Sequence, residues 1–147
     1  VTIVTTWDAD GRPVGATVSS FNSVSLTPPL VLFSLACESA ACEVFSRGGP
    51  LAIHVLGHEQ EALSNRFARG GAEKWADLVY GTGELGSPLL EGALATFECV
   101  PYARYPGGDH VIFVGRVERF AAQPGLAPLL FHAGAYARLA AHGAAQD

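Results

Sequence analysis

Charge is scarce in this sequence: Asp, Glu, Lys and Arg make up only 16% of its 147 residues, and just nine are Lys or Arg. With a formal net charge of −5, the chain lacks the clustered basic residues on which duplex nucleic-acid recognition rests. A phosphate ligand survives that exclusion, because one pocket can be locally positive. Cysteine is sparse too, and three residues make an odd set unlike a disulfide framework. No apolar run approaches the length of a membrane span, and no charged stretch leads into an apolar one at the start. A protein of the reducing cytoplasm, with neither a nucleic-acid nor a membrane partner, is the expectation. Val1–Trp7 opens directly on an apolar run, so a segment ahead of it is expected.

What the sequence does have is apolar residues (49%), 17 glycines and nine prolines. That mixture describes a β-rich globular chain with many turns, and its length suits one domain over 1–147. The apolar fraction is high for a small monomer, so part of the surface is expected to meet a second subunit.

Periodicity divides the chain into short strands. Residues 1–7 are a β-branched strand, 8–13 a hairpin loop, and 14–25 a second strand. Pro28-Pro29 ends that ladder, and 30–36 form a buried third strand. Ser39 is a good N-cap for a helix over Ala40–Phe45, stopped by Gly48-Gly49-Pro50 before a strand at Leu51–Leu56. A second helix is predicted over Glu59–Ala68, with Leu63 and Phe67 on one face, and another helical turn within Ala72–Leu78. Residues 79–91 read as loop. Ala93–Ala103 and Val111–Ala121 are two long strands joined across Tyr105–Asp109, and Pro128–Phe131 is a short last strand before an alanine-rich tail. Mainly antiparallel strands with a few short helices point to a barrel.

The most informative stretch is Ala16–Val31, where Thr17, Ser19, Ser20, Ser23 and Ser25 alternate with apolar residues ahead of Pro28-Pro29. Ser19 and Ser20 are adjacent, so on a strand they face opposite sides and cannot share one solvent stripe. Hydroxyls and free backbone amides are what a flat, polar-edged heterocycle needs. The run Thr17-Val18-Ser19-Ser20-Phe21-Asn22-Ser23-Val24-Ser25-Leu26, then Pro28-Pro29-Leu30-Val31, resembles the flavin-binding segment of the short-chain flavin reductases. Arg66-Phe67-Ala68, Gly108-Asp109-His110 and Gly134-Ala135-Tyr136 resemble later motifs of that family, in the same order.

The resemblance implies an FMN-binding split β-barrel, usually a homodimer, that uses NADH or NADPH to reduce FMN or FAD. It also implies reduced flavin handed to a partner monooxygenase. By position, Thr17, Val18, Ser19 and Ser20 would line the isoalloxazine, while Ser34 and Ser39 fall near the ribityl and phosphate groups. Ser39 has an independent argument, because a helix start offers free N–H groups to an anion; the same residue also serves as an ordinary N-cap. Arg66 and Lys74 are candidate phosphate cations or, equally, solvated helix charges. His110 is placed by the family close to the nicotinamide or flavin face, and is otherwise a turn histidine. Tyr136 either covers the ring or anchors the tail. Family members often carry threonine where this chain has Cys42.

No Gly-x-Ser-x-Gly and no Rossmann glycine motif is present, and a flavin site accounts for an enzyme without an evident triad. Cys37, Cys42, His54 and His58 approximate a zinc-finger spacing, but Gly48-Gly49-Pro50 breaks the helix such a finger needs, so no metal is expected. Two other readings remain open: a flavin-binding split-barrel module without turnover, and an oxidase of the pyridoxamine-phosphate type.

Overall fold

A computed structural model describes residues 1–140 of the chain. Thr2–Trp7 (β1) and Pro13–Val18 (β2) form a hairpin, with Thr2 opposite Val18 and Trp7 opposite Pro13. Asn22–Leu26 (β3) and Pro29–Ala36 (β4) form a second. Ala40–Ser46 (α1) follows, capped by Ser39, whose hydroxyl accepts the Cys42 N–H at 3.1 Å. Leu51–Val55 (β5) leads through a 3₁₀ turn, His58–Gln60, into Glu61–Phe67 (α2) and a second 3₁₀ turn, Ala72–Trp75. Tyr80–Thr82 (β6) and Pro88–Leu90 (β7) form a small ribbon. Two thirteen-residue strands, Ala95–Gly107 (β8) and His110–Ala122 (β9), dominate the C-terminal half. Leu130–His132 (β10) and Ala135–Ala137 (β11) close the described chain. No helix among the described residues is long and apolar enough to cross a membrane.

Seven strands make one antiparallel sheet in the order β2-β1-β5-β8-β9-β4-β3. Its two outermost strands, β2 and β3, are joined by the short link Ser19–Phe21, so the sheet has to curl until its edges approach. At the seam Ser20 Oγ accepts the Ser34 N–H at 2.8 Å and donates to the Ser34 carbonyl at 3.3 Å. The result is the expected split barrel. Its interior holds Val4, Val18, Val31, Phe33, Phe45, Ile53 and Phe113, with α1 contributing Cys42 and Phe45.

Several expected boundaries change. The strand read over 14–25 is two strands, because the β1 ladder runs out at the Thr2–Val18 pair and leaves Ser19 and Ser20 without a ladder partner on β1. Residues 79–91 are not loop throughout. The β6–β7 ribbon is docked by distant polar groups: Thr5 Oγ1 donates to the Pro88 carbonyl at 2.6 Å, and buried Glu98 accepts the Leu85 N–H at 3.4 Å. The β8–β9 turn is only Gly108-Asp109, so Tyr105 and Pro106 belong to β8. Gly108 takes φ = +69°, a conformation open to glycine at low cost. Part of the tail, 141–147, lies outside the described residues.

Candidate functional site

The elements that meet at the seam enclose a cavity of about 900 Å³. Its long wall is the chain from Arg12 to Ser20, which follows β2 and runs out onto the seam link. Ser34, Leu35 and Ala36 from the end of β4, and Ser39 from the cap of α1, form the opposite side. Phe67 to Gly71 and Lys74-Trp75 close the far end, and His110 stands at the rim.

Alternation along β2 explains this placement. Val14, Ala16 and Val18 pack on the barrel core, whereas Gly15 and Thr17 face α2. Thr17 Oγ1 donates to the Ser64 carbonyl at 2.7 Å. Gly15 has no room for a side chain: a Cβ there would lie 2.7 Å from Phe67 Cε1 and 3.1 Å from Trp75 Cζ2. Phe67 and Trp75 meet edge to face at 4.9 Å, and Lys74 Nζ sits 5.7 Å from the Phe67 ring centre. Lys74 also donates to the Gly15 carbonyl at 2.8 Å, and its partial burial lowers its pKa by desolvation. Trp75 Nε1 is buried without a hydrogen-bond partner among the described protein groups.

The structure therefore brings Thr17, Val18, Ser19, Ser20, Ser34, Ser39, Lys74 and His110 to one cavity. Ser39 reaches it while already accepting Cys42 N–H and donating to the Ala36 carbonyl at 2.9 Å. His110 is exposed, with Nδ1 2.7 Å from Asp109 Oδ1; that hydrogen bond, with the histidine's charge, draws the Asp109 pKa down. Two expected residues lie off the cavity lining. Arg66 turns its guanidinium to the Ala76 and Glu73 carbonyls, where it ties α2 to the following 3₁₀ turn. The Tyr136 hydroxyl binds Ser64 Oγ at 2.7 Å and Asn65 Oδ1 at 3.0 Å, which fastens β11 to α2. Cys42 is buried in the barrel core, not on the cavity.

Arg12, Arg69 and Trp75 are cavity residues that local sequence reasoning missed. Arg12 sits in a hairpin turn and Arg69 just past a helix, so neither carries a motif. The zinc-like set does not assemble among the described residues. His54 is fully buried, with Nδ1 3.0 Å from the Ile3 carbonyl and Nε2 accepting the Leu90 N–H at 3.0 Å. Both ring nitrogens are thus committed to backbone. Cys99 is buried as well, its thiol pKa pushed up to about 12 by desolvation, with Glu118 and Glu98 adding to the effect.

Residues 1–140 match the model of the flavin reductase like domain. An FMN reductase (NADH) of Agrobacterium fabrum is 46% identical over 138 residues, covering 94% of this chain and 78% of that protein. The reductase component of a flavin-dependent trigonelline monooxygenase from Acinetobacter baylyi is 43% identical over 136 residues; the match covers 92% of this chain but only 44% of that protein. Among solved structures, an NADH:FAD oxidoreductase of Streptomyces globisporus in complex with NAD and FAD fragments superposes with a TM-score of 0.90 at 34% identity. That match covers 97% of this chain and 86% of the other. A curled seven-stranded sheet, a hydroxyl-lined seam and a family match over almost its whole length lead to one conclusion: this chain belongs to the flavin reductase like domain family.

Proposed function

We propose that the chain is an NAD(P)H-dependent flavin reductase that passes hydride from reduced nicotinamide to FMN or FAD and supplies reduced flavin to a separate monooxygenase component in the cytoplasm. The observation that carries this reading is the cavity wall itself. The chain from Ser20 and Ser19 back through Thr17 to Gly15, small side chains and backbone, leads to a half-buried ammonium, Lys74, at the other end.

The residues fit a flavin. Beyond Val18 the link has left the β1 ladder, so its main-chain groups and the Ser19 hydroxyl suit the polar edge of the ring, while the Ser20 hydroxyl is held on the Ser34 backbone across the seam. Lys74 suits the phosphate, and the orphaned Trp75 indole N–H adds a donor to the same wall. Bound flavin supplies a ring that accepts hydride from nicotinamide without a protein acid or nucleophile in the transfer. The chain's own task is to hold two rings in contact and to keep bulk water from one side of them. His110, at the open rim and hydrogen-bonded to Asp109, is assigned the contact with the incoming nicotinamide. Leu26, Tyr102, Tyr105 and Phe120 are exposed at separate positions on β3, β8 and β9, and these large apolar side chains support a homodimer.

Anaerobic mixing of the purified protein with NADH or NADPH and excess FMN or FAD tests the reading. Repeated loss of flavin absorbance is expected. Tight binding without turnover would leave a flavin-binding module instead. Ser20→Trp fills the ring site and is expected to abolish flavin binding in a folded protein, measured by fluorescence quenching; unchanged affinity would move the ring elsewhere.

A further inference from the structure

A string of hydroxyl groups runs from the cavity wall to the C-terminal ribbon. Thr17 lies on the wall, and its Oγ1 donates to the Ser64 carbonyl at 2.7 Å. A hydroxyl has one proton, so Thr17 has none left to give a ligand. Ser64, fully buried on α2, carries the string on. Its Oγ lies 2.7 Å from the Tyr136 hydroxyl, which donates to Asn65 Oδ1 at 3.0 Å. Because the tyrosine spends its proton on Asn65, Ser64 is the donor to Tyr136. Residues separated by 47 and 72 positions in the chain are thus joined, and with them β2, α2 and β11.

Each link constrains the next. The Ser64 carbonyl also accepts the Ala68 N–H at 3.0 Å, so both of its lone pairs are taken and its direction is fixed. Tyr136 keeps the Ser64 hydroxyl off its own helix. A helical serine without such a partner bonds back to the carbonyl four residues earlier and bends the helix. Phe67, at the end of α2, lies over Gly15 at the far end of the cavity. A shift of α2 at Ser64 reaches the cavity twice, through Thr17 on β2 and through Phe67. Tyr136 itself stays off the lining, its ring packed on the outer layer with Phe67 and Trp75.

We infer that Tyr136 is a positioning residue for the flavin: its hydroxyl, acting through Ser64 and Thr17, sets the spacing between β2 and α2 and with it the affinity of the cavity for the ring. Thr17 is then a spacer, not a donor to the ring. This role rests on the flavin lying against β2 and the seam link, as proposed above.

FMN and FAD are titrated by fluorescence quenching against wild type, Tyr136→Phe, Thr17→Val, Thr17→Ser and the double variant Tyr136→Phe/Thr17→Val, and kcat is measured at saturating flavin. Tyr136→Phe keeps the ring in its packing and removes only the hydroxyl. It is expected to weaken flavin binding about fivefold, with kcat and KM for NADH within about twofold of wild type. Thr17→Val should match that loss, and Thr17→Ser, which keeps the donor, should restore wild-type affinity. The double variant should bind no more weakly than Thr17→Val alone, because both changes cut one string. Losses that multiply in the double variant overturn the positioning role while leaving the flavin site standing. Wild-type affinity in Tyr136→Phe does the same, even with a lowered melting temperature, and leaves the tyrosine a purely structural anchor. Failure of the wild-type protein to bind either flavin overturns the ring placement and the positioning role with it.

Discussion

The two faces of β1 and β5 are built on different principles. Inward, Val4, Leu51 and Ile53 join Phe33, Phe45 and Phe113 in a barrel core held by volume and shape. Outward, Ile3 and Leu56 share their layer with Thr5 and His54, whose polar atoms bond the backbone of the β6–β7 ribbon. Phe67 and Trp75 belong to this outer layer, and they form the far wall of the cavity. Non-directional packing closes the barrel. Directed hydrogen bonds between segments remote in sequence build the layer that carries Lys74. Function therefore depends on the more exacting of the two.

The largest effect is expected inside. Phe33, fully buried, stacks on Phe113 at 5.4 Å and meets Phe45 edge to face at 5.5 Å. Phe33→Ala should lower unfolding free energy by about 4 kcal/mol in urea titrations. Its pH dependence should remain that of wild type, because the outer layer is untouched.

Next comes the pH response of the outer layer. Burial holds the His54 pKa down at about 4, against an ordinary value of 6.5, so the unfolded chain binds the proton more readily. Stability from this residue is complete above pH 6.5 and falls as pH drops toward 4, by about 3 kcal/mol in all. Urea unfolding across that window should show the loss, and His54→Gln should flatten it. A slope that persists unchanged in the variant would assign the effect to other groups.

The smallest of the three sits where the layers meet the cavity. Gly15→Ala forces a methyl against Phe67 and Trp75 and should cost about 2 kcal/mol through overpacking. Flavin affinity should drop with it, since Lys74 hangs on the Gly15 carbonyl. Wild-type affinity in a folded Gly15→Ala protein would separate the cavity wall from the outer layer.

The barrel strands were legible because their information is local: β-branched alternation, a serine cap, and glycines and prolines at the turns. The break at Ser19–Phe21 was not, since it depends on where the neighbouring strand begins. The β6–β7 ribbon escaped for a related reason, as its anchors are Thr5, His54 and Glu98, far away in sequence. Within the site, the hydroxyl stretch was legible through its unusual composition. Arg66 stood in a motif-like helix but spends its donors on local carbonyls, while Arg12 and Arg69 reach the cavity from loops with no periodicity to announce them.

Ser19–Phe21 joins strands at opposite ends of the pairing order, and this shapes how the chain is made. By residue 36 the β1–β2 and β3–β4 hairpins are complete, yet β1 still needs β5 and β4 still needs β9, which ends at residue 122. Until β9 is made, a nascent chain thus exposes the bare strand edge of β4, a template for pairing with other chains. Emergence of β9 removes that hazard, so truncation ahead of His110 should yield aggregates rather than a smaller soluble fold.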